Sequence, residues 1–199
     1  MRSTILLLAM CLLFATAAAA QGPAGVGSQN GPWYSAAGDH QEDPWRLAIS
    51  YQYNRDNLVG SPFNTHGINI SGTRFFGRWF GAEGQVGVGF LGKTGQTTTP
   101  PNLNAKSLFA GAGPRLALRT RSRYEPWAHL IVGVEHYRFS QTAGVLGSNT
   151  AVAGLAGGGM DIFLETHLAV RVEADAVGSR FFSTNQRSFQ VVTGLVLSF

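Results

Sequence analysis

The chain has 199 residues, enough for one domain, and a formal net charge of +4 at pH 7, which is too mild a balance to indicate a nucleic-acid-binding protein. Only 13% of the residues are charged, while glycine (26 residues) and phenylalanine (13 residues) are abundant; soluble domains average about 25% charged residues. Beyond the first twenty residues no stretch of about 18 apolar residues occurs, which excludes a helical membrane protein. A membrane-embedded β-barrel is the natural remaining candidate.

Residues 1–20 have the three zones of a secretory signal peptide. Arg2 provides a positive start, Ile5–Phe14 is apolar, and Ala15–Ala20 is a tail of small residues after which cleavage is predicted. A membrane anchor is the first alternative, but a spanning helix needs about 20 apolar residues. A lipoprotein signal is the second, but Cys11 lies inside the apolar stretch rather than at its end. Because Cys11 is the only cysteine, the exported protein would have no disulfide and no thiol chemistry.

Residues 21–44 are rich in Gly, Ala, Ser, Gln and Pro and show no periodicity. This composition predicts a flexible periplasmic leader without a fold of its own. From Trp45 the pattern changes to a period of two. Apolar residues from Trp45 to Tyr53 alternate with polar or small ones from Arg46 to Asn54, as in a strand with two different faces.

The same alternation recurs until the end of the chain and predicts eight strands within residues 45–199. The apolar face is marked, strand by strand, by Trp45 and Ile49; Ile68 and Ile70; Phe80 and Val86; Leu108 and Leu116; Leu130 and Val132; Val152 and Ile162; Val170 and Val172; and Leu195 and Leu197. An even number of strands is required of bacterial single-chain barrels. The predicted fold class is therefore all-β, an eight-stranded antiparallel up-and-down transmembrane β-barrel.

A soluble β-sandwich would also alternate, so the polar face must decide which side is buried. That face is rich in Gly, Ser, Asn and Gln and has very few Lys, the normal marker of a solvated strand. Small residues suit the crowded interior of a narrow barrel. The sequence therefore favours an apolar exterior and a polar interior.

Connection lengths agree with a barrel that has long outer loops and short periplasmic turns. The longer connections are predicted at residues 55–64, 91–104, 140–149 and 178–187, and the shorter ones at 75–78, 119–125 and 163–167. Aromatic girdles are expected at the two rims, formed by Trp45, Trp79, Phe80, Trp127 and Phe199 on the periplasmic side and by Tyr51, Tyr53, Phe90, Phe139 and Phe189 on the outer side. Pro114 counts against the fourth strand or marks a bulge, because proline removes a hydrogen bond from the ladder.

The last strand ends in Gly194-Leu195-Val196-Leu197-Ser198-Phe199. A final amphipathic strand that ends in Phe, with Gly six residues from the end, resembles the signal by which the outer-membrane assembly machinery recognises its clients. The resemblance implies that Gly194, Leu197 and Phe199 carry this signal. Val192 departs from it, because a polar residue usually stands there.

Three further segments resemble the small outer-membrane β-barrel family, which includes the membrane domain of OmpA-like proteins. They are Gly113-Pro114-Arg115, Glu125-Pro126-Trp127-Ala128-His129, and Gly157-Gly158-Gly159-Met160-Asp161 followed by Ala169-Val170-Arg171. The resemblance implies a monomer in the bacterial outer membrane with both termini in the periplasm. Its partners would be outer-membrane lipids, lipopolysaccharide and the assembly machinery, and no peptidoglycan-binding domain follows the last strand.

One motif is typical of nucleotide binding, but the residues around it exclude that function. Residues Gly87–Thr94 fit the phosphate-binding pattern G-x-x-x-x-G-K-[ST], in which the loop must open a helix. Here a period-two strand precedes it, and Thr97-Thr98-Thr99-Pro100-Pro101 follows it and cannot be helical. We therefore expect a strand that runs into a loop, and no nucleotide or other cofactor.

The histidines also lack a recognised metal-binding spacing, so no metal site is predicted. His129 and His136 are seven residues apart and would face opposite sides of a strand. We expect these two side chains to pack at the interface or in the interior.

Charged residues recur on the predicted inner face. The acids are Glu83, Glu135, Asp161, Glu173 and Asp175, and the bases are Arg46, Arg115 and Arg171. Two of these carboxylates could serve an enzyme as acid and base. The favoured interpretation is a charge network that braces a narrow barrel, because an unpaired charge there would be costly. Arg119, Arg121 and Arg123 crowd one predicted periplasmic turn and are expected to pin that rim.

The sequence therefore predicts a non-enzymatic barrel with a structural, envelope-integrity or loop-mediated surface-binding role, and it predicts no catalytic residues. One alternative is a lipopolysaccharide-modifying enzyme of the acylase kind, which needs a serine, a histidine and an acid in mutual reach. His136 with Ser140 is the only loose candidate for this. A narrow pore for small solutes is the other alternative, and the charged interior would largely plug it.

Overall fold

The structure is a computed structural model that describes residues 43–58, 61–91, 104–120, 122–141, 144–181 and 184–199. All of them belong to one compact unit, residues 36–199; a second unit, residues 1–35, lies outside the described residues. The predicted signal peptide and nearly all of the predicted leader are therefore also outside them. No helix in the described ranges is long and apolar enough to cross a membrane.

Eight antiparallel strands close into a barrel in which each strand pairs with its neighbours in sequence and β1 pairs with β8. This confirms the predicted all-β up-and-down barrel. The strands are β1 (Trp45–Leu58), β2 (Ser61–Phe75), β3 (Phe80–Leu91), β4 (Asn104–Ala117), β5 (Tyr124–Gln141), β6 (Gly144–Glu165), β7 (Leu168–Phe181) and β8 (Thr184–Ser198). Backbone hydrogen bonds of 3.0 Å between Trp45 and Phe199, one in each direction, continue the closure beyond β8.

The barrel has an apolar exterior and a polar interior. Ile49, Leu116 and Val132 are 56%, 58% and 60% exposed, whereas Arg115 is fully buried and Arg46 nearly so. Successive side chains of a strand point to opposite faces, so the period of two in the sequence sorts the apolar residues outward. A water-soluble barrel would have the reverse arrangement, and the exterior is therefore one that suits a lipid bilayer.

Both described chain ends lie at the same end of the barrel, here called the terminal end, together with the connections at residues 76–79, 118–123 and 166–167. The opposite end is called the distal end. The prediction of long connections at this end is wrong for three of the four hairpins. Pairing continues up to Leu58 and Ser61 in the first, Gln141 and Gly144 in the second, and Phe181 and Thr184 in the third. In these segments polar, glycine and apolar residues follow one another without a period of two, so no alternation reveals the strand, yet their backbones still gain by pairing. The connection between β3 and β4, residues 92–103, lies outside the described residues.

Pro114 is accommodated inside β4 without a shift of register. Ala112 pairs with Val132 and Arg115 with His129, and between these pairs the β4–β5 ladder is interrupted at Gly113 and Pro114. On the other side of β4 the ladder is continuous, because Pro114 pairs with Ala82. A Cβ at Gly113 would lie only 1.9 Å from the carbonyl oxygen of Leu130. The glycine therefore permits the close approach of β4 to β5 at the point where the proline contributes no donor.

Strands β5 and β6, with 18 and 22 residues, are the longest of the barrel. A strand needs about 9–11 residues to cross a bilayer, so this hairpin extends well beyond a membrane at the distal end. The rings of Tyr137 and Phe139 stack there with centroids 6.0 Å apart, and Tyr137 is buried with Ala151. The prediction that Phe139 belongs to an outer aromatic girdle is wrong: as an odd-numbered residue of β5 it shares the inward face with Tyr137.

Candidate functional site: the charged interior

Most charged side chains of the interior gather in the half of the barrel nearer the terminal end, and they come from six strands. Each occupies an inward position of the alternation, so the register of the sheet brings distant residues to one level. The residues are Arg46 of β1, Glu83 of β3, Arg115 of β4, Glu125 and His129 of β5, Asp161 of β6, and Arg171, Glu173 and Asp175 of β7, all buried. We call this set the interior network.

Asp161 is the centre of the interior network. Its carboxylate accepts hydrogen bonds from Arg115 Nη2 at 2.9 Å and from Arg171 Nε and Nη2 at 2.8 and 3.0 Å. Arg46 Nη1 lies 3.5 Å from Asp161 Oδ2. Three guanidinium groups thus converge on one carboxylate, and each charge in this buried region has an oppositely charged neighbour.

Trp127 also contributes to this centre and not to a rim girdle, so the prediction that it lies at the periplasmic rim is wrong. It is 4% exposed, and its indole Nε1 donates to Asp161 Oδ1 at 3.1 Å. The guanidinium carbons of Arg115 and Arg171 lie 3.8 and 4.8 Å from its ring centroid. The alternation in β5 already required this position, because Leu130 and Val132 point outward and odd-numbered residues therefore point inward.

Arg46 crosses the lumen. It donates to both carboxylate oxygens of Glu125 on the opposite wall, with an Nη2–Oε2 distance of 2.7 Å. Its guanidinium carbon lies 5.0 Å from the ring centroid of Phe75 and 5.2 Å from that of Phe163. Sequence reasoning placed Arg46 inward but did not assign Glu125 to the network, because Glu125 falls in a predicted turn.

Arg119, in the connection between β4 and β5, is a further buried arginine at the terminal end. This side chain is 2% exposed, stacks 4.4 Å from the centroid of Phe75, and donates from Nη2 to the backbone oxygen of Asp43 at 2.8 Å. Burial lowers the pKa of the Arg119 guanidinium, and the neighbouring positive charge of Arg46 adds to this shift. Of the three predicted rim arginines, Arg119 thus points inside, Arg123 is half-buried, and Arg121 lies outside the described residues.

On the other side of Asp161, a second group of charges surrounds His129. Its Nδ1 lies 3.0 Å from Glu83 Oε2, and its Nε2 lies 3.0 Å from Asp175 Oδ1. Glu83 is also 3.3 Å from Arg115 Nη1 and 3.6 Å from Arg171 Nη1. Glu173 lies 4.0 Å from Arg171 Nη1. The interior network is therefore continuous from Glu125, which lies 4.0 Å from Arg119 Nε at the terminal end, to Asp175.

The structure brings six of the seven predicted network residues together. Glu135, the seventh, lies nearer the distal end and lines a small cavity with Gln52, Gln85 and Gln190. Phe109, Leu155 and Val177 close the other side of this cavity. The interior is thus charged near the terminal end, whereas towards the distal end it is lined mostly by uncharged amide side chains.

The loose catalytic candidate is not assembled. His136 Nδ1 lies 2.7 Å from the hydroxyl oxygen of Thr150, on the outward face of the barrel. Ser140 is four residues further along the same strand, a separation of about 13 Å at 3.3 Å per residue. A general base must lie within hydrogen-bond reach of its nucleophile, so His136 cannot serve as the general base for Ser140.

The three residues of the predicted assembly signal lie at the closing seam. Gly194 and Leu197 pair with Ser50 and Leu47 of β1. Leu197 and Phe199 are 49% and 62% exposed. A Cβ at Gly194 would lie 2.3 Å from the Ser50 hydroxyl oxygen and from the Ile49 carbonyl oxygen, so glycine lets β8 approach β1 closely here.

Comparison with known proteins finds similarity only at the level of structure. No family model and no curated protein matches the chain. Neisserial surface protein A aligns with a TM-score of 0.67 at 11% identity, over 78% of this chain and 97% of that protein. The attachment invasion locus protein Ail of Yersinia pestis aligns with a TM-score of 0.52 at 15% identity, over 77% and 97%. A second structure of Ail, in complex with the heparin analogue sucrose octasulfate, gives the same TM-score and coverage at 17% identity. The chain thus has the fold of the small eight-stranded outer-membrane β-barrels.

Proposed function

We propose that this protein is an exported, monomeric barrel of the bacterial outer membrane with a structural or surface-binding role and no catalysis. Residues 1–20 would direct export and be removed, residues 21–44 would form a periplasmic leader, and residues 45–199 would insert through the assembly machinery. The terminal end would then face the periplasm and the distal end the outside. No cofactor is needed for such a role.

The observation that carries this proposal is the closed lumen. Arg46 of β1 reaches Glu125 of β5 on the opposite wall, and Arg171 of β7 donates to Ser71 of β2 at 3.1 Å. These side chains cross the interior at the level of Asp161 and are buried there, which supports a lumen that is closed to ions. A structural barrel gains from such bracing, whereas a pore needs a water-filled interior.

Conductance measurement tests the closed lumen against the narrow-pore alternative. Protein purified in detergent and inserted into planar bilayers should give no steady potassium or chloride current. Steady, protein-dependent current in the parent protein would contradict the proposal and favour the pore. In cells, loss of the gene should raise sensitivity to detergents and large antibiotics without any change in lipid A acylation. Altered acylation would favour the enzyme.

Lipopolysaccharide is the outer-membrane lipid that we propose as a direct partner. Lys106 and Arg138 are directly opposite each other on β4 and β5, and both are exposed on the outward face. Like charges at opposite positions destabilise a sheet, and an anion between them removes this cost. Arg55 and Arg187 also point outward near the distal end, and the outward side chains described there include no acid. The phosphates of lipid A have the charge and the depth in the outer leaflet to meet these cations.

The proposed contact with lipopolysaccharide is tested by comparing the binding of lipid A with and without its phosphates. The parent protein in detergent should bind the bisphosphorylated form more tightly, and the double variant Lys106→Ala, Arg138→Ala should lose that preference. Arg74→Ala is the matched control, because Arg74 is an exposed outward arginine at the terminal end. Equal affinity of the parent protein for both lipid forms would contradict a phosphate site.

A further inference from the structure

The niche around His129 contains donor atoms that the bracing role does not require. Ligand atoms of His129, Glu173 and Asp175 all lie within 4.8 Å of one another, and the three residues are buried. His129 comes from β5 and lies 46 residues before Asp175 in the sequence; both acids come from β7, which is not a neighbour of β5 in the sheet. We propose that these three side chains form a binding site for one divalent transition-metal ion of the Zn²⁺ class inside the barrel.

Glycines of the intervening strand create the space for this niche. In the sheet register Gly157 of β6 pairs with His129 on one side and with Asp175 on the other. A Cβ at Gly157 would lie 2.0 Å from Asp175 Oδ1. Gly159 pairs with Glu173. Because β6 has no side chains at these positions, residues of β5 and β7 meet across it.

Glu83 orients the imidazole toward this niche. Its Oε2 lies 3.0 Å from His129 Nδ1, so a proton on Nδ1 is held by a carboxylate. The other nitrogen, Nε2, faces Asp175 and offers its lone pair to an ion once its proton has left. Metal-binding histidines are typically held in this way by a carboxylate on the nitrogen that does not bind the metal.

An unsatisfied oxygen provides the independent reason to expect a ligand. Asp175 is 1% exposed, and its Oδ2 has no hydrogen-bond partner. A buried polar atom without a partner is costly. Arg171, on the same inward face of β7, is already bound to Asp161 through Nε and Nη2. A cation in the niche would satisfy the free oxygen.

The charge balance and the donor set select the class of ion. As metal ligands, one neutral imidazole and two carboxylates carry two negative charges, which a divalent ion neutralises. Any proton that these groups hold without the metal goes to solvent. One imidazole nitrogen and two carboxylate oxygens suit Zn²⁺. Tetrahedral ligands about 2.0–2.2 Å from Zn²⁺ lie roughly 3.3–3.6 Å apart, so the side chains need to move only slightly inward.

Equilibrium dialysis of the whole protein, purified in detergent and treated with chelator, against ZnCl₂ tests the site. We expect one Zn²⁺ per chain at saturation and a loss of affinity of at least about tenfold in Asp175→Asn and in Glu173→Gln. His136→Ala and His167→Ala, which change histidines outside the niche, should keep the parent stoichiometry and affinity. Absence of saturable binding, or binding lost only in the two histidine controls, would overturn the proposal.

If the carboxylate variants do not fold, X-ray absorption by the zinc-loaded parent protein identifies the zinc ligands and tests the site without them. The expected spectrum has a single imidazole ligand and oxygen ligands at about 2.0–2.2 Å. A spectrum with two or more imidazoles, or with none, would place the ion elsewhere and overturn the proposal.

Discussion

At the scale of single residues, Asp161 has the greatest influence on the interior. It receives hydrogen bonds from Arg115, Arg171 and Trp127 and lies within 3.5 Å of Arg46. Its carboxylate is the shared anion for three guanidinium groups that are otherwise buried together. An amide at this position would keep the shape but remove the charge that holds them.

We therefore expect Asp161→Asn to lower the free energy of unfolding by about 3–5 kcal/mol, because buried positive charges lose their partner. Urea unfolding in lipid vesicles, followed by tryptophan fluorescence, measures this change. Glu165→Gln is the control, since this acid is exposed in β6 at the terminal end and its loss should change stability by less than about 0.5 kcal/mol. Equal stability of the two variants would show that Asp161 is not the centre of the network.

At the scale of elements, β8 determines whether the sheet is closed. It pairs with β7 along its whole length and with β1 from Phe189 to Ser198. Without it, β1 and β7 would each expose an edge of unpaired backbone groups to hydrocarbon, at several kcal/mol for each group. The terminal Phe199 adds two backbone hydrogen bonds with Trp45 and resembles an assembly signal.

Deletion of Phe199 separates the structural contribution of this strand from its recognition. In cells, the deletion should remove most of the heat-modifiable, membrane-embedded protein and leave export intact. In detergent, the same variant should still refold, since only the last two of the β1–β8 hydrogen bonds are lost. Phe80→Ala, which removes another exposed ring at the terminal end, should insert normally in cells. Normal insertion of the Phe199 deletion would refute the role of this residue as a signal.

At the scale of the whole molecule, the apolar exterior is the property that requires a membrane. Outward residues from every strand form a continuous apolar belt, and no charged residue interrupts it near the middle of β5. A belt of this kind is stable in hydrocarbon and would drive aggregation in water. The mature protein should therefore remain soluble only in detergent or lipid.

A charge in the belt tests this arrangement directly. Val132→Arg should make folding into bilayers less favourable by about 2–4 kcal/mol, the cost of an arginine near the midplane of a barrel. Val132→Leu is the matched control and should leave stability nearly unchanged. Folding titrations in urea with lipid vesicles measure both variants. A neutral effect of the arginine would mean that this face of β5 contacts water.

The sequence by itself determined the alternation, and with it the number of strands and the face each residue occupies. This was possible because a period of two is a local property of an extended backbone. The same alternation also predicts that Trp127 and Phe139 point inward. The expectation of aromatic girdles at the two rims led to the wrong placement of both residues. The strand extensions at the distal end could not be predicted, because polar and apolar residues follow one another there without a period of two.

Only the tertiary structure decided which inward residues meet. Closure of the barrel brings Arg46 to Glu125 across the lumen, and the sheet register lines up His129, Gly157 and Asp175 on three consecutive strands. Such contacts depend on register and on the curvature of the wall, which no spacing within one strand encodes. The physical reason is that alternation fixes a direction for each side chain, whereas its partners are fixed by the closed geometry of all eight strands.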